Sequence, residues 1–173
     1  AAAITSADAD IVITIGGASV GTHDLVVPVL RELGAAMDFW KVAIRPGKPF
    51  LSGRLPGHPA RRVLGLPGNP VSAFVTALLF AVPLAARLGG RSHGLPIEML
   101  PLAAPLAAND GRRDHLRARR GASGVTAFAA QDSAMLSVLA AADVLIIREP
   151  HAPAAATGEV LPCIALDMFQ SVY

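Results

Sequence analysis

Lys41, Arg45 and Lys48 fall within eight residues, in the stretch Phe39-Trp-Lys-Val-Ala-Ile-Arg-Pro-Gly-Lys-Pro-Phe50. The chain carries only these two lysines against thirteen arginines, so their shared segment stands out. Alternation and β-branching predict a strand over Met37 to Ile44. Lys41 and Arg45, four apart, would then share one strand face and supply positive charge to one patch. Pro46-Gly47 would end that strand and present Lys48, with Pro49 stiffening the chain beyond. Two exposed lysines at a strand end are the plainer alternative.

A second stretch could hold the partner of such a patch. Ile11 to Ile15 reads as a buried strand that breaks into Gly16-Gly-Ala-Ser-Val-Gly21, and Leu25 to Leu33 reads as a helix. A glycine loop between strand end and helix start is where open α/β sheets bind ligands, because the backbone can approach an anion and the first helical amides can hold it. Ser19 and Thr22 add hydroxyls, and Asp24 could either cap the helix or hold a divalent cation. A tight turn capped by Asp24 explains the same residues.

Arg62 to Leu66 repeats the arrangement: a short strand, then Pro67-Gly68-Asn69-Pro70, then an apolar helix over Val71 to Leu88. Asn69 suits the N-cap and Pro70 the first helical position, and Pro83 should kink the helix or end its first section. Apolarity on nearly every side implies burial on two faces. Two such junctions on one sheet would set two amide-rich helix starts side by side, with Lys48 near the same edge. The expected ligand is anionic and phosphate-bearing.

The whole chain sets the bounds. Its 173 residues, 53% hydrophobic, suffice for one domain or two small ones. A net charge of +2 gives no reason to expect nucleic acid or an anionic membrane. Val71 to Ala86 is too short for a comfortable membrane span, and Ala1-Ala-Ala-Ile-Thr-Ser6 does not resemble a secretory signal. Cys163 is the sole cysteine, which excludes an intrachain disulfide and a cysteine-based zinc site and fits the cytoplasm.

After Gly89-Gly90 short strands dominate. They are predicted at Asp114 to Arg120, Val125 to Ala130, Val144 to Arg148 and Glu159 to Leu166, with a short helix over Ser133 to Ala142. Arg112, Arg113, Arg117, Arg119 and Arg120 form the densest charge group; a solvated strand face and a nucleic-acid patch are its alternatives, and no aromatic accompanies it to stack on bases.

Gly16-Gly-Ala-Ser-Val-Gly21, Arg45-Pro-Gly-Lys-Pro49 and Leu66-Pro-Gly-Asn-Pro-Val-Ser72 together resemble the MoeA and gephyrin E-domain family, the molybdopterin molybdenumtransferases. Gly111-Arg-Arg-Asp-His-Leu-Arg117 and Gln131-Asp-Ser-Ala-Met-Leu-Ser137 are similar to pieces of that family's C-terminal β-barrel. The resemblance implies an α/β fold: residues 1–91 as the C-terminal half of a three-layer, MogA-like molybdopterin-binding domain, and residues 92–173 as the small mostly-β barrel domain. The family's N-terminal domains and the first half of its α/β domain have no counterpart here, so a fragment of a longer subunit is expected.

Function follows from the resemblance as expectation: insertion of molybdate into adenylylated molybdopterin with release of AMP, assisted by Mg2+. It places Lys48, Pro49, Ser72, Arg112 and Ser133 around molybdate. Gly16, Gly17, Ser19, Gly21, Pro67, Gly68, Asn69 and Pro70 would take the molybdopterin nucleotide. Asp24 would bind the metal and act in catalysis with Lys41, Arg45 and Lys48, although Arg45 stands where the family commonly has lysine. A homodimer is implied, with a molybdopterin adenylyltransferase or a molybdoenzyme as a further partner. A non-catalytic molybdate- or pterin-binding or self-assembly module is the other function class.

Overall fold

A computed structural model describes residues 1–17, 25–92 and 94–166. They fall into two compact units, Ala1–Val42 with Gly47–His93 and Ala43–Pro46 with Gly94–Tyr173.

The first unit is built on four strands, β1 (Ile11–Ile15), β2 (Ala36–Trp40), β4 (Leu51–Leu55) and β5 (His58–Leu66), in the order β1-β5-β4-β2. β1 runs parallel to β5, while the β5–β4 and β4–β2 pairs are antiparallel. Side chains alternate across a strand, so each face of the sheet collects its own core. On one face Leu51, Leu55 and Val63 pack with Ile4 of α1 (Ala2–Thr5) and with Val27 and Leu30 of α2 (Val26–Glu32). On the other, Phe50, Leu64 and Leu66 pack with Ala81 and Phe80, and Phe80 stacks on Phe50 at 4.4 Å between ring centroids. Helix, sheet and helix make the three layers expected.

The run Ile11 to Ile15 forms its strand but is not buried as predicted. β1 ends the sheet among the described residues, leaving Ile13 47% and Ile15 70% exposed. The long helix starts at Asn69, whose side chain accepts from the Ser72 N–H at 3.2 Å, and runs as α3 (Pro70–Thr76), a π turn (Ala77–Ala81) and α4 (Val82–Leu88). Pro83 offers no N–H to the preceding turn, and the wider π ladder lies directly before it. Pro70–Leu88 is long and apolar enough to cross a membrane by length and composition alone. One face of it serves the core, while Phe74, Val82 and Leu88 stay 38%, 36% and 47% exposed, so burial on two faces is not seen among the described residues.

The predicted strand Met37 to Ile44 is two strands in two sheets. β2 stops at Trp40 and Lys41 takes φ 73, a conformation that ends a strand. Residues Ile44–Arg45 form β3 in the second unit, pairing parallel with β7 (Arg113–Gly121). Lys41 and Arg45 therefore do not share a strand face.

The second unit orders its strands β3-β7-β9-β10-β6, with β8 also on β7; here β6 is Ile97–Pro101, β8 Gly124–Ala127, β9 Val144–Arg148 and β10 Val160–Ala165. An isolated bridge between Leu102 and Val125, with the Ala103 N–H on the Val125 carbonyl at 2.8 Å, joins the end of β6 to β8 and closes the ring. Leu102, Ala118, Val125, Val144, Ile146, Ala155 and Cys163 fill its interior. Burial pushes the Cys163 thiol up to about 11, so it stays protonated at neutral pH. The predicted helix at Ser133 to Ala142 is shorter, α5 (Leu136–Ala140), because a turn held by Asp132 accepting the Ala134 N–H at 2.8 Å occupies its start.

Gly89, Gly90, Arg91 and Ser92 follow α4 and are exposed. Trypsin under limiting conditions should cut at Arg91 before Arg87 in the last turn of α4. Mass spectrometry of the first fragments checks the order; an initial cut at Arg87 would count against an accessible junction here.

Candidate functional site

In the first unit, strand register gathers the candidate residues at one end of the sheet. Ile15 and Leu66 are partners at the carboxyl ends of parallel β1 and β5, so their two loops leave side by side. The Gly16 N–H donates to the Leu66 carbonyl at 2.9 Å. A Cβ on Gly68 would lie 3.3 Å from the Gly16 Cα, and Gly16 has φ 80, so backbone touches backbone at a position that L side chains rarely adopt. Gly17, at φ 68, would bring a Cβ within 2.9 Å of the Val26 Cγ2. Ser19, Gly21 and Asp24 lie outside the described residues.

The same end receives the lysine segment. Leu51 at the start of β4 pairs with Gly65, which puts Lys48, Pro49 and Phe50 beside the carboxyl end of β5. The Val42 N–H donates to the Lys48 carbonyl at 3.0 Å and the Lys41 N–H to the Phe50 carbonyl at 2.9 Å, fixing the turn. Lys48 is exposed, and its ammonium has no ion-pair partner among the described residues. Lys41 differs: its ammonium sits over the Trp40 ring, 4.6 Å from the centroid.

The start of α3 is poorer in free amides than expected. Pro70 has no N–H, the Ser72 N–H goes to the Asn69 side chain, and the Ala73 N–H goes to the Asn69 carbonyl at 2.8 Å. Ser72 itself is buried in the first turn, and its carbonyl accepts the Thr76 hydroxyl at 2.8 Å. Pro67, Gly68 and Asn69 thus act chiefly as a stiff loop whose side-chain cap is already used.

Arg45 and Arg112 belong to the second unit, joined through one carboxylate. Arg45 donates to Asp110 Oδ2 at 3.0 Å, to Asn109 Oδ1 at 3.4 Å and to the buried Asp114. The Asp114 hydrogen bond, first, and both carboxylates together raise the Arg45 pKa further. Arg45 is therefore a pin between β3 and β7 more than a free cation. The Arg112 N–H donates to Asp110 Oδ1 at 2.9 Å and its guanidinium reaches Asp110 Oδ2 at 3.3 Å. Those bonds, with the Arg112 side chain first, hold the Asp110 carboxyl below the usual range. Ser133 is half-buried in the turn before α5.

The other arginines are mostly spoken for. Arg113 pairs with Glu149 at 2.9 Å, and Arg120 makes two bonds to Glu98 at 2.8 and 3.0 Å. Arg119 lies 5.4 Å over the Phe128 ring, so an aromatic does accompany the group, with the cation already on that ring. Arg117 is 1% exposed and its Nε and Nη1 have no hydrogen-bond partner among the described residues. Asn109, Asp110 and Asp114 were not predicted as site residues; Asn-Asp-Gly at 109–111 is the turn signal that could have drawn attention to them.

Residues 1–87 match the family described as a probable molybdopterin binding domain, and residues 99–166 match the MoeA C-terminal region, domain IV. A molybdopterin molybdenumtransferase of Nostoc sp. is 41% identical over 109 residues, covering 62% of this chain and 25% of that protein. The Haemophilus influenzae protein of the same name is 49% identical over 85 residues, 49% of this chain and 20% of its own. The Drosophila melanogaster molybdenum cofactor synthesis protein cinnamon is 35% identical over 167 residues, 91% of this chain and 27% of its own. Among solved structures, a molybdopterin biosynthesis MoeA protein from Pyrococcus horikosii aligns with a TM-score of 0.73 and 25% identity over 91% of this chain and 37% of that one. The chain spans about a quarter of the length of the curated relatives it matches. With one match spanning just over half of its residues and the second most of the rest, the chain belongs to the MoeA family.

Proposed function

We propose that this chain serves molybdenum cofactor biosynthesis as part of a molybdopterin molybdenumtransferase, inserting molybdate into adenylylated molybdopterin with release of AMP. The observation that carries the reading is the convergence of the Gly16-Gly17 loop, the Pro67–Asn69 loop and Lys48, which has no ion-pair partner among the described residues, at one end of the first unit's sheet. Such an edge suits a phosphate-bearing ligand, since the glycines admit it closely and the lysine supplies charge. Molybdate is a doubly charged tetrahedral oxyanion. In the first unit Lys48 would offset its charge and the Ser72 hydroxyl would replace part of its water shell; in the second unit Arg112 and Ser133 offer the same two kinds of donor. Lys41 and Arg45 would act indirectly, given the ring and the carboxylates that already hold them.

Magnesium, if bound, would polarise the phosphoanhydride. Among the described residues no group of three or more His, Cys, Asp or Glu side chains could hold a metal ion, and Asp24 lies outside them. A cytoplasmic homodimer, with an adenylyltransferase or a molybdoenzyme as partner, completes the proposal.

Calorimetric titration of molybdate into the chain tests it. Lys48→Ala should weaken binding by about 2 kcal/mol, roughly 30-fold, for one lost charge-assisted hydrogen bond. Arg112→Ala should act likewise. Arg120→Ala should stay within about twofold, because an exposed pair such as its bond to Glu98 contributes little elsewhere. No loss at Lys48, or equal losses at Arg112 and Arg120, would sink the assignment. Molybdate binding without AMP release from adenylylated molybdopterin would favour the binding module over the enzyme.

A further inference from the structure

Arg112 heads a turn that two neighbouring side chains hold from several directions. Asp110 accepts the Arg112 N–H through Oδ1 at 2.9 Å, an Asx turn that fixes the backbone from which the guanidinium projects. Asn109 holds the same turn from below: its Nδ2 donates to the carbonyls of Arg112 at 2.7 Å, Glu149 at 2.9 Å and Arg148 at 3.1 Å, and its Oδ1 accepts the Asp110 N–H at 3.0 Å. The second Asp110 oxygen is shared. It lies 3.0 Å from Arg45 and 3.3 Å from Arg112, so the shorter bond goes to Arg45, and Arg45 has Asp114 as well. Among the described residues Arg112 thus makes one long side-chain bond and keeps most of its five N–H donors for another acceptor.

We infer that Asp110 is a positioning residue: it fixes the Arg112 backbone and leaves the guanidinium donors turned to an incoming oxyanion, while Arg45 offsets the charge that Asp110 would otherwise set against that anion. This rests on Arg112 being an oxyanion ligand, as proposed above. The agent is the Oδ1 bond to the backbone, so asparagine at 110, which keeps that acceptor, should substitute and alanine should not.

Two measurements on the full chain separate the positioning from the function. Nitrogen-15 relaxation of the Arg112 backbone amide and Nε–H, without any ligand, should show both ordered in the parent chain and in Asp110→Asn and loosened in Asp110→Ala, with circular dichroism unchanged in all three. Molybdate titration should then give a dissociation constant within about threefold of the parent for Asp110→Asn and roughly tenfold weaker for Asp110→Ala. Unchanged Arg112 order in Asp110→Ala overturns the inference. So does tighter molybdate binding in Asp110→Ala, which would make the carboxylate a competitor, or equal losses in both variants, which would make its charge the agent. If the parent chain binds no molybdate yet Arg112 loosens only in Asp110→Ala, the positioning stands and the proposed ligand falls.

Discussion

Replacing Gly124 by alanine should cost the second unit about 4 kcal/mol, enough to abolish most of the stability of a small domain. Gly124 sits at φ 124, outside the range of L side chains, and a Cβ there would lie 2.2 Å from the Pro101 carbonyl oxygen and 3.0 Å from its carbon. Both are backbone atoms, so no rotamer change relieves the clash. The position is also where closure happens: the next residue, Val125, bridges Leu102 and accepts the Ala103 N–H. Alanine must therefore push β6 away from β8 and open the seam over the core. Gly57→Ala is the comparison, since it shares a positive φ of 75 but meets nothing within 4 Å, and should cost about 1 kcal/mol. Trp40, the only tryptophan, lies in the first unit, so fluorescence is the wrong probe. Cys163 is fully buried in the closed core, and its reaction with a thiol reagent along a urea series reports the opening directly. Equal urea midpoints for Gly124→Ala and the parent would show that the seam yields without loss.

What could be read from sequence was mostly local. Gly16-Gly17 after a β-branched run, and Asn69-Pro70 ahead of an apolar run, specify their own backbone through positive φ, capping and the missing proline N–H. Those junctions form where predicted, and the three-layer and mostly-β units follow. Long-range choices were hidden. A lysine at φ 73 is imposed by the sheet around it, so nothing near Lys41 announces that the strand ends there and that Ile44–Arg45 pairs with residues about seventy positions later. Arg45 looked like a free cation because Asp110 and Asp114 are 65 and 69 residues away. Arg120 looked like part of a basic patch because Glu98, 22 residues before it, belongs to another strand. Pro83 announced a break in its helix, but whether a proline is met by a kink or by a π turn depends on how the preceding turn seats on Phe50 and Leu64.

Acid should destabilise the chain well above the pH at which its surface carboxylates titrate, and His115 is the reason. The imidazole is 2% exposed on β7, with Nδ1 lacking a hydrogen-bond partner among the described residues. Burial is the main cause that lowers its pKa from 6.5 to about 4; the Arg113 charge adds to this, and a backbone hydrogen bond at Arg45 opposes it. An unfolded chain takes up this proton near pH 6.5, and the folded one only near pH 4. Between those values the unfolded state binds more protons, so stability falls as pH falls, and above pH 6.5 this contribution is complete and flat. The interval corresponds to about 3 kcal/mol, or about 1.4 kcal/mol per pH unit in its steep part. Asp110 and Glu98, both held low by arginine bonds, act in the same direction but only below their ordinary values of 3.8 and 4.5, so among the described groups with a shifted pKa the decline from pH 6.5 to 5 belongs to His115. His115→Gln fills a similar volume and cannot titrate. Urea unfolding at pH 7.5, 6.5, 5.5 and 5.0, read by Cys163 reactivity in a quenched pulse or by circular dichroism, should show a decline in the parent and a much flatter profile in the variant, whatever the substitution costs at pH 7.5. Parallel profiles would mean that the imidazole is solvated in the folded state and that the acid sensitivity lies elsewhere.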